Sequence, residues 1–459
     1  MFKRTFICLF CVAICIYLII PSAFVQANSN TTNYKTEIKV KLLPTNSFSL
    51  KITGKYEVIN LDNNTIIPNI NTISVSQKDG KLILINGKST ISSSKGININ
   101  ELQITDSNEI EVSNIHSARG VLPVKYRGSL QIRTGASSPA LFNVLDMESY
   151  LKGVVPSEMP PSWHLEALKA QAVAARSYAY TQIQRNKSKG YLEMTVSNQV
   201  YGGKSNEHVN SNRAVEETAG LYATYNNVPI DAVFHSSSGG HTENSENVWT
   251  NAVPYLKGVP DPYDQNNGNN HYRWTTTANS NTIKAKLSLK PNQTLLSLRI
   301  TERGPSAAVQ QIEAIVFDEL TQGTSNIPIL PKYGSTADSL RSIFGISLKS
   351  IKFDVSSDSS QTIKLADGSE VSMDSLKGKK IKNAVGTDIN ITEMNLPVRL
   401  KTSSKLVPTS PKSFSFTGDG WGHLLGLSQW GARGMAEQGF KYNQIIKHYY
   451  TGTEVKKIN

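Results

Sequence analysis

The stretch "MPPSWHLEALKAQAVAARSYAYTQIQ", residues 159–184, constrains the fold of this 459-residue chain more than any other. Pro160 and Pro161 bar an earlier helix start, and Ser162 is a good N-cap. Leu165, Leu168, Ala172, Ala175, Ala179 and Ile183 then recur at spacings of three and four, which predicts one long helix with a single apolar stripe. Half of those stripe residues are alanines, so whatever covers them must approach closely. The segment therefore reads as a buried scaffold rod. Just ahead of it stands one carboxylate, Glu158, among Val154, Val155, Met159 and the two prolines. It could cap the helix starting near Ser162, pair with a base such as Arg176, or serve as an acid.

Elsewhere the pattern is mostly of strands. From Thr36 to about Ser113 apolar and polar residues alternate ("TEIKVKLL", "SFSLKITGKYEVI", "KLILI"), with Gly54, "LDNN" and "KDGK" as punctuation, the signature of short strands and hairpins. "YRGSLQIRT" and "ALFNVLD" continue as strand, and Asp146 is placed to cap a short helix, "MESYLKG". "GLYATYNNVPIDAVFHSSS" reads as a hairpin around Asn226-Asn227, followed by a polar loop and then a helix–strand region from about Asn281 to Phe353. Residues 354–411 change character, with "SSDSSQ", "ADGSE" and "KGKK" framing short strands. The chain closes with a Gly-rich loop running into a helix. The expected class is α+β: a β-rich chain with one long Ala-rich buried helix. Its parts are a leader at 1–27, an N-terminal β region at 30–115, a core at 116–353 plus 412–459, and a β-rich insertion at 354–411.

The N-terminus bears on compartment. Lys3 and Arg4 precede an apolar run, Phe6 to Ile20, then Pro21 and "SAFVQA", with Val25 and Ala27 fitting the small-residue rule for signal cleavage after Ala27. A run of this length falls short of the ~20 residues that span a bilayer, although continuation through Phe24 and Val25 would make an uncleaved anchor. Ile14 is too large for the position before a lipidated Cys15. All three cysteines, Cys8, Cys11 and Cys15, lie in this leader, so the exported part carries no thiol, disulfide or cysteine metal ligand. The expected location is the cell wall or the medium, or outward-facing on a membrane anchor. The formal charge of +12 is spread along the chain, without the arginine-rich, aromatic-interleaved stretches of nucleic-acid binders. A diffuse basic surface suits an anionic wall polymer, or serves solubility alone.

Histidines and tryptophans are distributed unevenly. All five tryptophans, Trp163, Trp249, Trp274, Trp421 and Trp430, and seven of the eight histidines lie between the rod and the C-terminus, outside the insertion. Indole faces stack on sugar rings, so tryptophans set in polar Gly-rich loops suit a carbohydrate groove as well as a core. In "HSSSGGHTENSENVW", His235 and His241 stand six apart with Glu243 and Glu246 following, a poor match to the three or four converging ligands zinc needs. The serine run lacks the G-x-S-x-G context of a nucleophile elbow. The glycines of "GDGWGHLLGLSQWGARGMA" match neither a P-loop nor a dinucleotide fingerprint. His423 beside Trp421, with Gln429 close by, looks instead like a sugar-contacting loop.

Together "YLKGVVPSEMPPSWHLEALKAQAVAARSYA", "FHSSSGGHTENSENVW", "PYLKGVPDPYD" and "GWGHLLGLSQWGARGMAEQG" with "IIKHYYTGTEV" resemble the stage II sporulation protein D / amidase-enhancer family, over about Tyr126 to Val455 with the insertion set aside. The resemblance implies a protein of the peptidoglycan wall, and the family holds two kinds of member. One cleaves glycan strands as a lytic transglycosylase; the other stimulates a wall amidase. By this resemblance the catalytic glutamate of "PSEMP" falls on Glu158 and the histidine of the "GWGHG" loop on His423. His423, Trp421, Gln429, His235, Ser238 and Trp249 are the candidate substrate-binding positions. Two departures stand out. Leu424 follows His423 where the family has glycine, and a side chain there would narrow the loop. Some relatives hold zinc with cysteines near "HSSSGG", where this chain has serines, so no metal and no cofactor are expected. The expected partners are peptidoglycan glycan strands and a wall amidase, and no nucleic acid.

A one-carboxylate site has a definite chemistry. Ordinary glycosidases use two carboxyl groups. A lytic transglycosylase needs one, because the sugar's own C6 hydroxyl is the nucleophile and gains the advantage of intramolecular attack. The leader predicts that protein from the wall or culture fraction begins near Asn28 on N-terminal sequencing. An intact Met1 in the membrane fraction would establish the anchor instead.

Overall fold

The computed structural model describes residues 32, 34–117, 120–266, 268–358 and 411–458, and six short strands between 362 and 408 by their backbone alone. The leader at 1–27 lies outside the described residues, as does most of the 354–411 segment. Those six strands form three antiparallel hairpins, Thr362–Lys364 with Glu370–Ser372, Lys380–Lys382 with Asp388–Asn390, and Asn395–Arg399 with Ser404–Pro408. The chain is α+β and divides into two compact units.

The described residues of the first unit, 32, 44–117, 120–123 and 128–142, are all β in their regular elements. Its strands Phe48–Thr53, Thr72–Lys78, Lys81–Asn86 and Glu109–Ser117 pair antiparallel, and Tyr56–Asn60, Ile97–Glu101 and Ser129–Arg133 form a second antiparallel set. The alternation seen in the sequence is the alternation of burial: Leu50, Ile73, Leu82, Leu84, Ile110 and Val112 are fully buried, with exposed or half-buried neighbours between them.

The second unit, residues 34–43, 124–127 and 143–459, is built on helices. These are α1 (Met147–Glu158), α2 (Leu165–Arg185), α3 (Val209–Glu217), α4 (Ser245–Val248), α5 (Ser280–Lys286), α6 (Leu340–Ile343), α7 (Gln429–Glu437) and α8 (Tyr442–Tyr449). α2 is the rod around which the unit packs. It touches α1, α3, α7, α8 and the strand Leu221–Tyr225. The single apolar stripe predicted for it is too narrow: every residue from Glu166 to Ser177 except Lys169 is buried, while Leu165 and Ile183 at its ends are only half-buried. Alanines at 167, 170, 172, 174, 175 and 179 let neighbours close in on several sides at once.

Two boundaries differ from the sequence reading. Asp146 does cap α1, accepting from the Glu148 and Ser149 amides at 3.0 Å each, but the helix runs past "MESYLKG" through Pro156 to Glu158. Pro156 removes one intrahelical donor in the last turn, and there the Ser157 hydroxyl bonds the Gly153 carbonyl at 2.8 Å. The extended backbone of Met159, as expected before a proline, then ends the helix. The N-cap of α2 is His164, whose Nδ1 accepts from the Glu166 amide at 3.2 Å, and not Ser162. The hairpin lies where expected, Leu221–Tyr225 against Val228–Pro229, with Asn226 and Asn227 both left-handed as a two-residue turn requires.

One buried ion pair ties α1 to the rod. Arg176 of α2 is fully buried and grips Glu148 of α1 with two bonds, 3.0 and 2.6 Å, while donating to the Leu221 and Val215 carbonyls at 3.0 and 3.3 Å. The Glu148 carboxylate also accepts from the Gly220 amide at 3.1 Å. Removing one partner of a buried pair costs roughly 3–5 kcal/mol. Glu148→Ala should fall at the upper end of that range because it strands a fully buried guanidinium. Arg176→Met should cost less, about 3 kcal/mol, because the Glu148 side chain is 31% exposed and can be rehydrated. Denaturant midpoints at constant slope give both numbers, and the reverse ranking would refute this account.

Candidate active site

Glu158 is the last residue of α1, and its surroundings are fixed by the segment 199–201 that lies against that helix. Gly153 makes the approach possible, since a Cβ there would come within 2.6 Å of the Tyr201 ring. Tyr201 stacks on Tyr150 with centroids 5.2 Å apart and donates to Asn143 at 2.7 Å. Gln199 accepts from the Tyr150 hydroxyl at 3.2 Å and donates to the Ala175 carbonyl at 3.3 Å. The residue between them, Val200, then points its amide at Glu158 Oε1, 2.7 Å away. Neither bland reading of Glu158 holds: α2 is capped by His164, and Arg176 belongs to Glu148. Burial raises the Glu158 carboxyl from 4.5 to about 7, against the opposing pull of the Val200 amide.

The carboxyl faces a cleft of about 550 Å³. Of the residues singled out in the sequence, His235, Trp249, Trp421, His423 and Gln429 line it together with Glu158. The structure does not bring Ser238 there; that side chain is fully buried and its hydroxyl donates to Asp261 at 2.8 Å. His241 is not in the cleft lining either, and its Nδ1 contacts the Thr242 carbonyl. Glu158 is the one carboxylate among the described lining residues. Glu243 is buried in bonds to Ser306 and Asn247, and Asp419 pairs with Arg273 at 3.2 Å.

Two imidazoles clamp the Gly-rich loop through a single residue, Leu425. His423 Nδ1 accepts the Leu425 amide at 3.0 Å, so its hydrogen sits on Nε2. His235 Nδ1 faces the Leu425 carbonyl at 3.0 Å, so that ring carries its hydrogen on Nδ1 and presents a bare Nε2 with no protein partner. Burial first, then the neighbouring His423, depresses His235 to about 3; burial and the Arg341 charge depress His423 to about 4. Both rings are therefore neutral near pH 7. Gly422, at φ +120°, lets the loop lie on His235, where a Cβ would come within 2.6 Å of the His235 Cβ. Leu424 adopts φ +66°, which costs a non-glycine residue about 1–2 kcal/mol. Its side chain is fully buried and is not part of the cleft lining, so the narrowing expected of it does not occur.

Sequence reasoning missed Tyr178, Asn198 and Arg341, which also line the cleft. Tyr178 projects from the rod itself, where its place in the helix read as one more structural position; burial and the Asp231 charge push its phenol up to about 12. Arg341 lies on α6 and bonds Asp338 at 3.2 Å, while its Nε is buried with no protein partner. In sequence that i, i+3 pair is indistinguishable from a solvated helix pair.

Behind the cleft Ser237 and Ser238 of "HSSSGG" meet the aspartates of "PDPYD", while Ser236 lines the cleft. Asp264 accepts from the Ser237 and Ser428 hydroxyls at 2.6 and 2.7 Å and from the Gly239 amide at 2.9 Å. Asp261 accepts from Ser238 and from the Tyr449 hydroxyl at 2.9 Å. Both carboxylates are fully buried, and burial first, then the neighbouring Asp264, raises the Asp261 carboxyl above its ordinary range. Ser237, Ser238 and Ser428 thus brace the loop that carries His235 and lie bonded to carboxylates.

The chain is similar to several known proteins. The family described as "Stage II sporulation protein" matches residues 136–225, which include α1, Glu158 and the rod. The amidase enhancer of Bacillus subtilis is 33% identical over 309 residues, covering 66% of this chain and 40% of that protein. The chain thus spans less than half the length of the enhancer. Stage II sporulation protein D of Bacillus subtilis is 28% identical over 331 residues, 69% of this chain and 76% of the other. Its counterpart in Bacillus amyloliquefaciens is 29% identical over 361 residues, 75% and 84% of the two chains. With its rod, its carboxyl and its clamped histidine loop in one unit, the chain belongs to the stage II sporulation protein D and amidase-enhancer family.

Proposed function

We propose that this protein cleaves peptidoglycan glycan strands as a lytic transglycosylase, in sporulation or wall remodelling, from an exported position. The observation that carries the reading is the lone desolvated carboxyl of Glu158, raised to about 7 in an open cleft. A protonated Glu158 donates to the oxygen bridging muramic acid to the next sugar, and that C–O bond breaks as positive charge develops at C1. The resulting carboxylate takes the proton from the C6 hydroxyl of the same muramic acid as its oxygen bonds C1. The product carries a 1,6-anhydro ring, no water is consumed, and Glu158 ends protonated as it began. His235 and His423 are neutral and add no positive charge beside the oxocarbenium-like centre.

The similarity to an amidase enhancer favours one other reading, a non-catalytic wall-binding partner of an N-acetylmuramoyl-L-alanine amidase. Glu158→Gln separates the two. It keeps an acceptor for the Val200 amide but can neither give nor take a proton, so strand cleavage should fall by at least ~10²–10⁴-fold. Wild-type fragments should be lighter by one water than the hydrolysis products. Wild-type protein that cuts nothing yet accelerates an amidase would establish the enhancer reading.

The same substitution predicts a pH-dependent gain in stability. The folded state holds the Glu158 proton more tightly than the unfolded chain, so stability from this group falls as pH rises from 4.5 through about 7. Glutamine removes that loss. The melting temperature of Glu158→Gln relative to wild type should therefore climb across this window and level off above it. A constant deficit at every pH would mark the carboxylate as structural.

A further inference from the structure

We propose that the aromatic run Trp421–His271–Trp430–Trp163, with Lys349 and Arg433 laid on its indoles, is a second carbohydrate-binding surface that holds the glycan strand at sugars away from the cleaved linkage. This rests on the reading of the cleft as a glycan site. Trp421 belongs to both, lining the cleft and standing 37% exposed, the one aromatic among the exposed large hydrophobic side chains of the described residues. From it the run is continuous. His271 meets Trp421 edge-on at 4.1 Å and Trp430 at 6.4 Å, and Trp430 meets Trp163 at 4.7 Å.

Four of the five tryptophans thus border the cleft or the run, while the fifth, Trp274, is buried at 5% exposure. Trp163, Trp430 and His271 are each half-buried, keeping part of their surface in water. The run is anchored to the parts that build the cleft. Trp163 follows Glu158 in the turn into α2, closed by its amide to the Pro160 carbonyl at 3.0 Å. Trp430 directly follows the cleft residue Gln429 in the first turn of α7.

Charge supports a glycan of the wall over a neutral one. Lys349 Nζ lies 4.7 Å from the Trp421 ring centre, and the Arg433 guanidinium lies 5.0 and 5.3 Å from those of Trp430 and Trp163. Apolar ring surface therefore alternates with cations along the run, Arg433 also pairing with Glu437 at 2.6 Å. A peptidoglycan strand presents the matching alternation, since its sugar faces are apolar and every muramic acid bears a carboxyl group, free or carried on into an acidic peptide. Spacing of this kind rewards strands long enough to occupy the cleft and the run together.

The test uses Glu158→Gln protein, which binds without cutting, and purified glycan strands sorted by length. Affinity should rise with length until a strand spans the run. In the same background Trp163→Ala should lose about three- to tenfold on long strands and little on the shortest, and Trp163→Phe should recover most of the loss. His271→Ala, which interrupts the run without touching the Trp163–Trp430 pair, should show the same length-dependent pattern. Equal losses at all lengths, or none, would overturn the proposal. The outcome is independent of cleavage: protein that makes no anhydro ends but shows this length dependence would keep the surface and lose the transglycosylase reading.

Discussion

The packing of α2 is the constraint on which the rest of the second unit depends. A helix buried on nearly all sides needs small residues where backbones approach and satisfied polar groups where they do not. Its alanines meet the first need, and Arg176 meets the second with bonds to Glu148, Val215 and Leu221. That guanidinium joins the first turn of α1 to the end of α3 and the start of a strand. α1 is thereby held as a rigid arm whose far end carries Glu158. The apolar rod is structural, yet it decides where the proton donor stands.

The acidity of Glu158 is a balance between two opposing effects of its surroundings. Burial raises the carboxyl, and the single Val200 amide lowers it. Several further donors would pull it back toward an ordinary carboxylate, and a nearby arginine would do so faster. Arg176, the basic partner that the sequence offered, is occupied elsewhere, bound to Glu148. A group poised near neutrality can give a proton and then receive one, which suits a reaction that asks both of it.

Much of this was legible in the sequence, for identifiable reasons. Period-two strands, the Asn226-Asn227 turn, the Asp146 cap and the long helix all rest on local backbone rules, and they hold. The exact start of α2 was not legible, because a histidine ring replaced the expected serine as the cap. The narrow stripe was a misreading of alanine, which periodicity scores as weakly apolar although it marks close packing on any face. Arg341 and Tyr178 reach the cleft only through tertiary folding, Tyr178 from the rod and Arg341 from α6. Leu424 shows the opposite limit. Its sequence context suggested an obstruction, whereas its left-handed backbone is compatible with a fully buried side chain.

The serine run marks where residue type and role part company most clearly. Burying Asp261 and Asp264 side by side is costly, and the chain offsets the cost with hydroxyl donors from Ser237, Ser238, Ser428 and Tyr449 and the amide of Gly239. Burial first, and then the reluctance of two close carboxylates to ionise together, raise the Asp261 carboxyl as well. The serines come from the strand end that bears His235, and Ser428 lies directly opposite His235 in the parallel pair Phe234–His235 with Leu427–Ser428. Hydroxyls on both strands converge on one carboxylate, Asp264, so the ladder is fixed from beneath at the point where His235 and His423 grip Leu425 from the side. Short hydroxyls are what that geometry needs, since each must reach a buried carboxylate without filling the cleft in front of it.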